Sequence, residues 1–127
     1  MLTPEKDISC GVFDSSLLRK KQTKSNPRTV ISYELEIFLE DGGVSYMDDE
    51  QHRVRRGMLL CAKPGAVRRS DFPVKCGYIR ITNECARREG LEGLLSSLPS
   101  YTYIEDRAEA DEVIALFSKL ERRLFSK

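Results

Sequence analysis

The chain has 127 residues with 21 basic against 20 acidic side chains, the length of one domain, which can bury a core without disulfide or metal staples. So even a charge balance gives no bulk electrostatic case for nucleic acid or an anionic membrane as its own partner. No apolar run approaches the roughly 20 residues that span a bilayer, and Met1 to Cys10 lack the apolar stretch of a signal peptide; both point to a cytoplasmic protein without membrane contact.

Residues 1–28 read as an N-terminal arm carrying one edge strand. Short apolar pieces, Cys10 to Phe13 and Leu17-Leu18, lead into the polar run Arg19 to Arg28, whose Asn26-Pro27 marks a solvated loop. From Thr29 to Glu40 the odd positions between Ile31 and Leu39 are apolar, while Ser32, Glu34, Glu36 and Glu40 fall on even ones. That period of two predicts a half-buried strand with a solvated acidic face.

Asp41-Gly42-Gly43 supplies a turn, Val44 to Met47 a second strand, and Asp48 to Gln51 an acidic turn before His52 to Arg56, a β-meander in its simplest form. Gly57 to Ala62 is the next strand and Pro64-Gly65 its turn, delivering Arg68 and Arg69 to a strand mouth. Val74 to Thr82 forms a further strand with Tyr78, Arg80 and Thr82 opposite Ile79 and Ile81. Short strands punctuated this regularly predict a sandwich or barrel over residues 29–83.

After Asn83 the spacing turns helical, from Glu84 to Leu95, and stops near Pro99; Tyr101 to Ile104 is briefly extended. A last helix runs from Asp106 to the chain end, acidic in its first turn. Val113, Phe117, Leu120 and Leu124 share one apolar stripe, widened by Ile114, Leu116 and Phe125. No Gly or Pro stop closes that helix, so the sequence reads as a fragment. The expected architecture is mainly β, a jelly-roll barrel followed by two α-helices over residues 84–127.

The cysteines, Cys10, Cys61, Cys76 and Cys85, form no close ligand pair and read as reduced and structural. Arg53, Arg55, Arg56, Lys63, Arg68, Arg69 and Arg80 make one biased region, with Asp71 the single acid between His52 and Lys75. A guanidinium fork suits planar anions, which singles out Arg68 and Arg80 as anion binders; the competing reading pairs these arginines with acids or leaves them on an outer face. Tyr33, Phe38, Tyr46, Cys61 and Tyr78 could line an apolar pocket with hydroxyl handles, or simply fill the barrel. Glu34 and Glu36 read as a solvated strand face rather than a catalytic pair, and His52 has no Ser or Cys partner, so no catalytic residue is assigned.

The segments Tyr33 to Leu39, Tyr46 to Gln51, Gly57 to Gly65 and the closing helices together resemble the N-terminal domain of AraC-type transcription regulators, a cupin barrel. The resemblance covers residues 29–127. It implies a ligand-responsive module for a sugar or small anion, with Tyr33, Phe38, Tyr46, Cys61, Arg68, Tyr78 and Arg80 as effector-binding candidates. It also implies a homodimer through the last helix (Val113, Leu116, Phe117, Leu120, Leu124) and a DNA-binding domain beyond residue 127, through which alone DNA is touched. Metal-binding cupins carry a His pair and a Glu in the first motif and another His after the Pro-Gly turn. Arg68 stands where that last His would be, and arginine does not ligate divalent metals, so no metal, no cofactor and no metal-dependent chemistry are expected. The competing reading is a stand-alone, metal-free cupin enzyme or small-anion-binding protein.

Overall fold

The computed structural model describes residues 7–125, and among them no helix is long and apolar enough to cross a membrane. The strands are β1 (Ile8–Asp14), β2 (Arg28–Thr29), β3 (Tyr33–Phe38), β4 (Val44–Met47), β5 (Glu50–Arg53), β6 (Met58–Ala62), β7 (Val67–Asp71), β8 (Lys75–Ile81) and β9 (Tyr101–Tyr103). The helices are α1 (Asn83–Arg88), α2 (Glu92–Ser97) and α3 (Arg107–Phe125). Two antiparallel sheets, β1-β8-β3-β6-β9 and β2-β7-β4-β5, face each other as a jelly roll with helices behind the larger one.

Strand alternation sorts the side chains of the larger sheet into two buried layers. Phe38, Met58, Leu60 and Cys76 face the smaller sheet and meet Val30, Met47, Val54 and Val74 in the barrel core. On the opposite face Tyr33 and Ile81 pack on Cys85, Ala86 and Leu95 of the two short helices. Strand β3, hydrogen-bonded between β6 and β8, therefore has no solvent face, and Glu34 at 2% exposure is as buried as its apolar neighbours.

Several expectations change. The strand read from Thr29 to Glu40 is two elements, β2 and β3, and Ile31, counted in its apolar stripe, is 81% exposed in the link between them. The meander is replaced by crossovers: β3 pairs with β6 and β8, and among consecutive strands only β4 and β5 form a hairpin. The edge strand expected in the arm is β1, paired with β8 along its whole length, so the barrel takes in residues assigned to the arm.

The single helix expected over Glu84 to Leu95 is two. Gly90, at φ +70°, lets the chain turn so that the Leu91 N–H reaches the Ala86 carbonyl at 2.8 Å, the bond that closes a left-handed helix end. The last helix starts as read: the Asp106 carboxylate accepts from the Ala108 N–H at 3.1 Å. Helix α3 then crosses the outer face of the larger sheet, held there by Ala110 and Phe117. Phe117 lies on Gly77, the one residue of β8 without a Cβ to obstruct it.

Candidate functional site

Strand register brings the acids and bases of the barrel together. Glu34 and Glu36 share the inward face of β3 with Phe38, and Arg80 stands opposite Glu34 on β8. On the smaller sheet Arg68 pairs across from Met47 and from Arg28 of β2, and its side chain enters the barrel with that of Met47. Arg68 is 7% exposed.

Its guanidinium forks onto both carboxylates. Nη1 donates to Glu34 Oε1 and to Glu36 Oε2, each at 2.7 Å, and Nη2 donates to Glu36 Oε1 at 2.9 Å. Arg28 makes a second fork, Nη1 to Glu34 Oε2 at 2.9 Å and Nη2 to Glu34 Oε1 at 2.7 Å. Arg80 adds only a long contact, Nε to Glu34 Oε2 at 3.5 Å, and stacks on Tyr78 with 4.7 Å to the ring centroid.

Burial works to raise the Glu34 carboxyl, but the bonds and charges of Arg28 and Arg68 outweigh it and hold the group below its ordinary value. Arg68 is likewise pulled toward its charged form: burial opposes this, and Glu36 followed by Glu34 prevails. Because Glu34 is depressed in the folded state, its contribution to stability is full above the ordinary value of 4.5 and is lost as pH falls through its lower native value. Thermal unfolding followed against pH should therefore show Tm dropping below that point, and a Tm that stays level there would overturn the role given to the pair.

Beside the network lies a cavity of about 200 Å³. Arg28, Arg68 and Arg80 line it together with Glu36 and the rings of Phe13 and Phe72, which are 6.0 Å apart.

The remaining candidates lie elsewhere. Phe38 is in the barrel core, and Tyr78 is on the same inward face as Glu36. Tyr33 and Cys61, expected inside the barrel, face the helices instead: Tyr33 packs on Cys85 and Leu95, and the Cys61 thiol donates to the Leu95 carbonyl at 3.8 Å. Tyr46 is outside the barrel on the smaller sheet; its hydroxyl donates to Asp71 at 2.7 Å and Arg69 lies 3.6 Å over its ring. Arg56 pairs with Asp111 in the acidic first part of α3, as the competing reading of the arginines has it, while Arg69 pairs with Asp71, a partner outside that reading.

Glu34 and Glu36, read as solvated, are the centre of the site, and Arg28, read as the end of a solvated loop, joins them through its fork on Glu34. The available signal was Phe38, a large aromatic in phase with both glutamates and out of place on a solvent face.

At the position where metal-binding cupins hold their ion, these residues do not fit one. Both carboxylates are already taken by arginines, and the sole histidine, His52, is on β5 against the Tyr101 ring at 4.1 Å. Among the described residues no group of three or more His, Cys, Asp or Glu side chains is arranged so that it could hold a metal ion. Burial raises the Cys61 and Cys85 thiols, and burial together with Glu36 raises Cys76, which makes them poor nucleophiles.

A barrel of two antiparallel sheets with helices behind one of them defines a cupin-type jelly roll. The Schizosaccharomyces pombe Cnp3 cupin domain is similar in structure, with a TM-score of 0.52 at 11% identity, covering 72% of this chain and 68% of that one. The plu4264 protein from Photorhabdus luminescens (TM-score 0.46, 18% identity, 69% of this chain and 86% of that one) is a weaker likeness. So is procruciferin, the 11S globulin of Brassica napus (0.43, 11%, 93% and 38%). At these identities the likeness concerns the fold alone. No protein-family model matches the chain, and no curated protein matches it.

Proposed function

We propose that the chain is the effector-sensing and dimerising part of an AraC-type transcription regulator, controlling an attached helix-turn-helix DNA-binding domain, and that it is not an enzyme. The observation that carries this reading is the division of labour on α3. One edge of its apolar stripe, Ala110 and Phe117, is buried on the barrel, while Leu116 is 66% and Leu120 39% exposed. These two border an apolar groove of about 330 Å³ between α3 and the outer face of the larger sheet, floored by Leu35, Ile37, Leu59 and Ile79. A helix fixed to its own barrel with a second apolar edge in water is suited to meeting its symmetry mate. Val113 lines the same groove, and Leu124 is half-buried further along the helix.

In this reading the barrel supplies the sensor. Effector occupancy beside the arginine–carboxylate network favours one arrangement of the paired subunits over another, and the attached domains follow that population shift. Sedimentation velocity tests the dimer: the parent chain should sediment as a dimer and Leu120→Asp as a monomer, whereas a monomeric parent overturns the helix interface. The regulator reading as a whole is tested by the coding sequence downstream of Lys127, where a stretch encoding no helix-turn-helix pair would sink it.

A further inference from the structure

The charges of the arginine–carboxylate network do not balance. Arg28, Arg68 and Arg80 face two carboxylates, Glu34 and Glu36, leaving one positive charge, since Arg69 at the rim is neutralised by Asp71. Arg68 spends both terminal nitrogens on the glutamates, and its Nε is buried without an acceptor among the described residues. Glu34 is largely engaged, with Oε1 accepting from Arg28 and Arg68, and Oε2 from Arg28, which leaves Oε2 room only for the long Arg80 contact. The surplus therefore resides on Arg80, whose contact with Glu34 is a long 3.5 Å and whose side chain is half-exposed.

Arg80 lines the cavity of about 200 Å³ together with the Phe13 and Phe72 rings and with Glu36, whose carboxylate is engaged by Arg68, so the lining combines a cationic and an aromatic component. At about 200 Å³ the cavity lies below the roughly 300–1,000 Å³ of pockets that take drug-sized ligands, which suits a small molecule. A guanidinium in a cleft takes a carboxylate fork to fork, and partial exclusion of water strengthens the pair.

Resting on the sensing reading above, we propose that the effector is a small amphipathic monocarboxylate, its carboxylate on Arg80 and the exposed edge of Arg28, its apolar body against Phe13 and Phe72. A second carboxylate on the ligand would exceed the single surplus charge. A neutral polyol would leave that charge unmatched and waste the aromatic wall.

Titration calorimetry of the whole chain with benzoate, and with its neutral isostere benzamide, tests this. Benzoate should bind at least tenfold more tightly than benzamide, and Arg80→Gln should erase the preference while leaving the circular dichroism spectrum unchanged. Should that variant fail to fold, raising salt from about 20 mM to about 500 mM on the parent should weaken benzoate and leave benzamide unaffected. Equal affinity for the two, or a preference that survives Arg80→Gln, overturns the proposal. A neutral hexose that binds where benzoate does not overturns the ligand class and leaves the sensing reading standing; no binding by any of the three overturns both.

Discussion

Replacing Arg68 with Met is expected to destabilise the fold by about 3–5 kcal/mol, because removing one partner of a buried ion pair strands the charge left behind. Glu36 is the charge stranded here: it loses both of its ion-pair bonds and keeps only the Cys76 thiol, while Glu34 retains the fork from Arg28 and the long Arg80 contact. The network itself need not be a net source of stability. Taking these groups out of water costs several kcal/mol per ion, and the Arg68 Nε, buried without an acceptor, adds a penalty of about 1–3 kcal/mol. A triple change of Arg68→Met, Glu34→Leu and Glu36→Leu should therefore recover most of the loss, because Arg28 and Arg80 are half-exposed and can turn to water. Urea unfolding measures both. A single variant within about 1 kcal/mol of the parent would mean that water reaches the glutamates.

The contrast between single and triple variants bears on why polar groups occupy a barrel centre at all. An apolar filling of similar volume would close the barrel equally well, yet it would hold neither a polar ligand nor a fixed charge beside the cavity. The pairing orients three arginines from β2, β7 and β8 about one glutamate on β3, so the smaller and the larger sheet are tied at a single point.

How this was legible in the sequence follows from what each pattern can see. The run from Met58 to Ala62 and the last helix were readable because turn signals or caps bracket them: Gly57 and Pro64-Gly65 on one, Asp106 on the other. Strand β3 was mislocated in its environment because alternation reports two faces without reporting what covers each. Leu35 and Ile37 mark the face under α3, while Glu36, and Glu34 beside the nearby Arg28, are compensated by Arg68 some 30 residues downstream on β7, which no local pattern reveals. Tyr33 and Cys61 were drawn into the barrel by their chemistry, when their phase with Leu35 and Leu59 placed them under the helices. The break at Gly90 was present as a weak helix former and needed only its left-handed turn to become a boundary.

Gly77→Ala should cost about 1–3 kcal/mol, and the reason shows what fixes α3 to the barrel. A Cβ at position 77 would stand 2.3 Å from Cε2 and 2.6 Å from Cζ of Phe117, far inside contact distance. Alanine is otherwise the better strand residue, by roughly 0.5–1 kcal/mol in backbone entropy, so the sign of the effect depends on whether the ring can move. It has little room: Phe117 is buried at the sheet, Ala110 pins the helix two turns earlier, and Gly77 is bracketed by Val12 on β1 and Ile37 on β3. Phe117→Ala alone should cost about 3–5 kcal/mol, and with the ring gone Gly77→Ala should cost nothing and gain up to about 1 kcal/mol, a coupling of about 1.5–4 kcal/mol in a double-mutant cycle by chemical denaturation. Additive losses would mean that glycine is required at position 77 for some reason other than the ring. Because Leu116 and Leu120 ride on the same helix, displacing Phe117 also moves the edge proposed to meet a second subunit. Gly77→Ala should then weaken the dimer without altering any residue in it, whereas a dimer of parental strength would separate the assembly from the seating of α3.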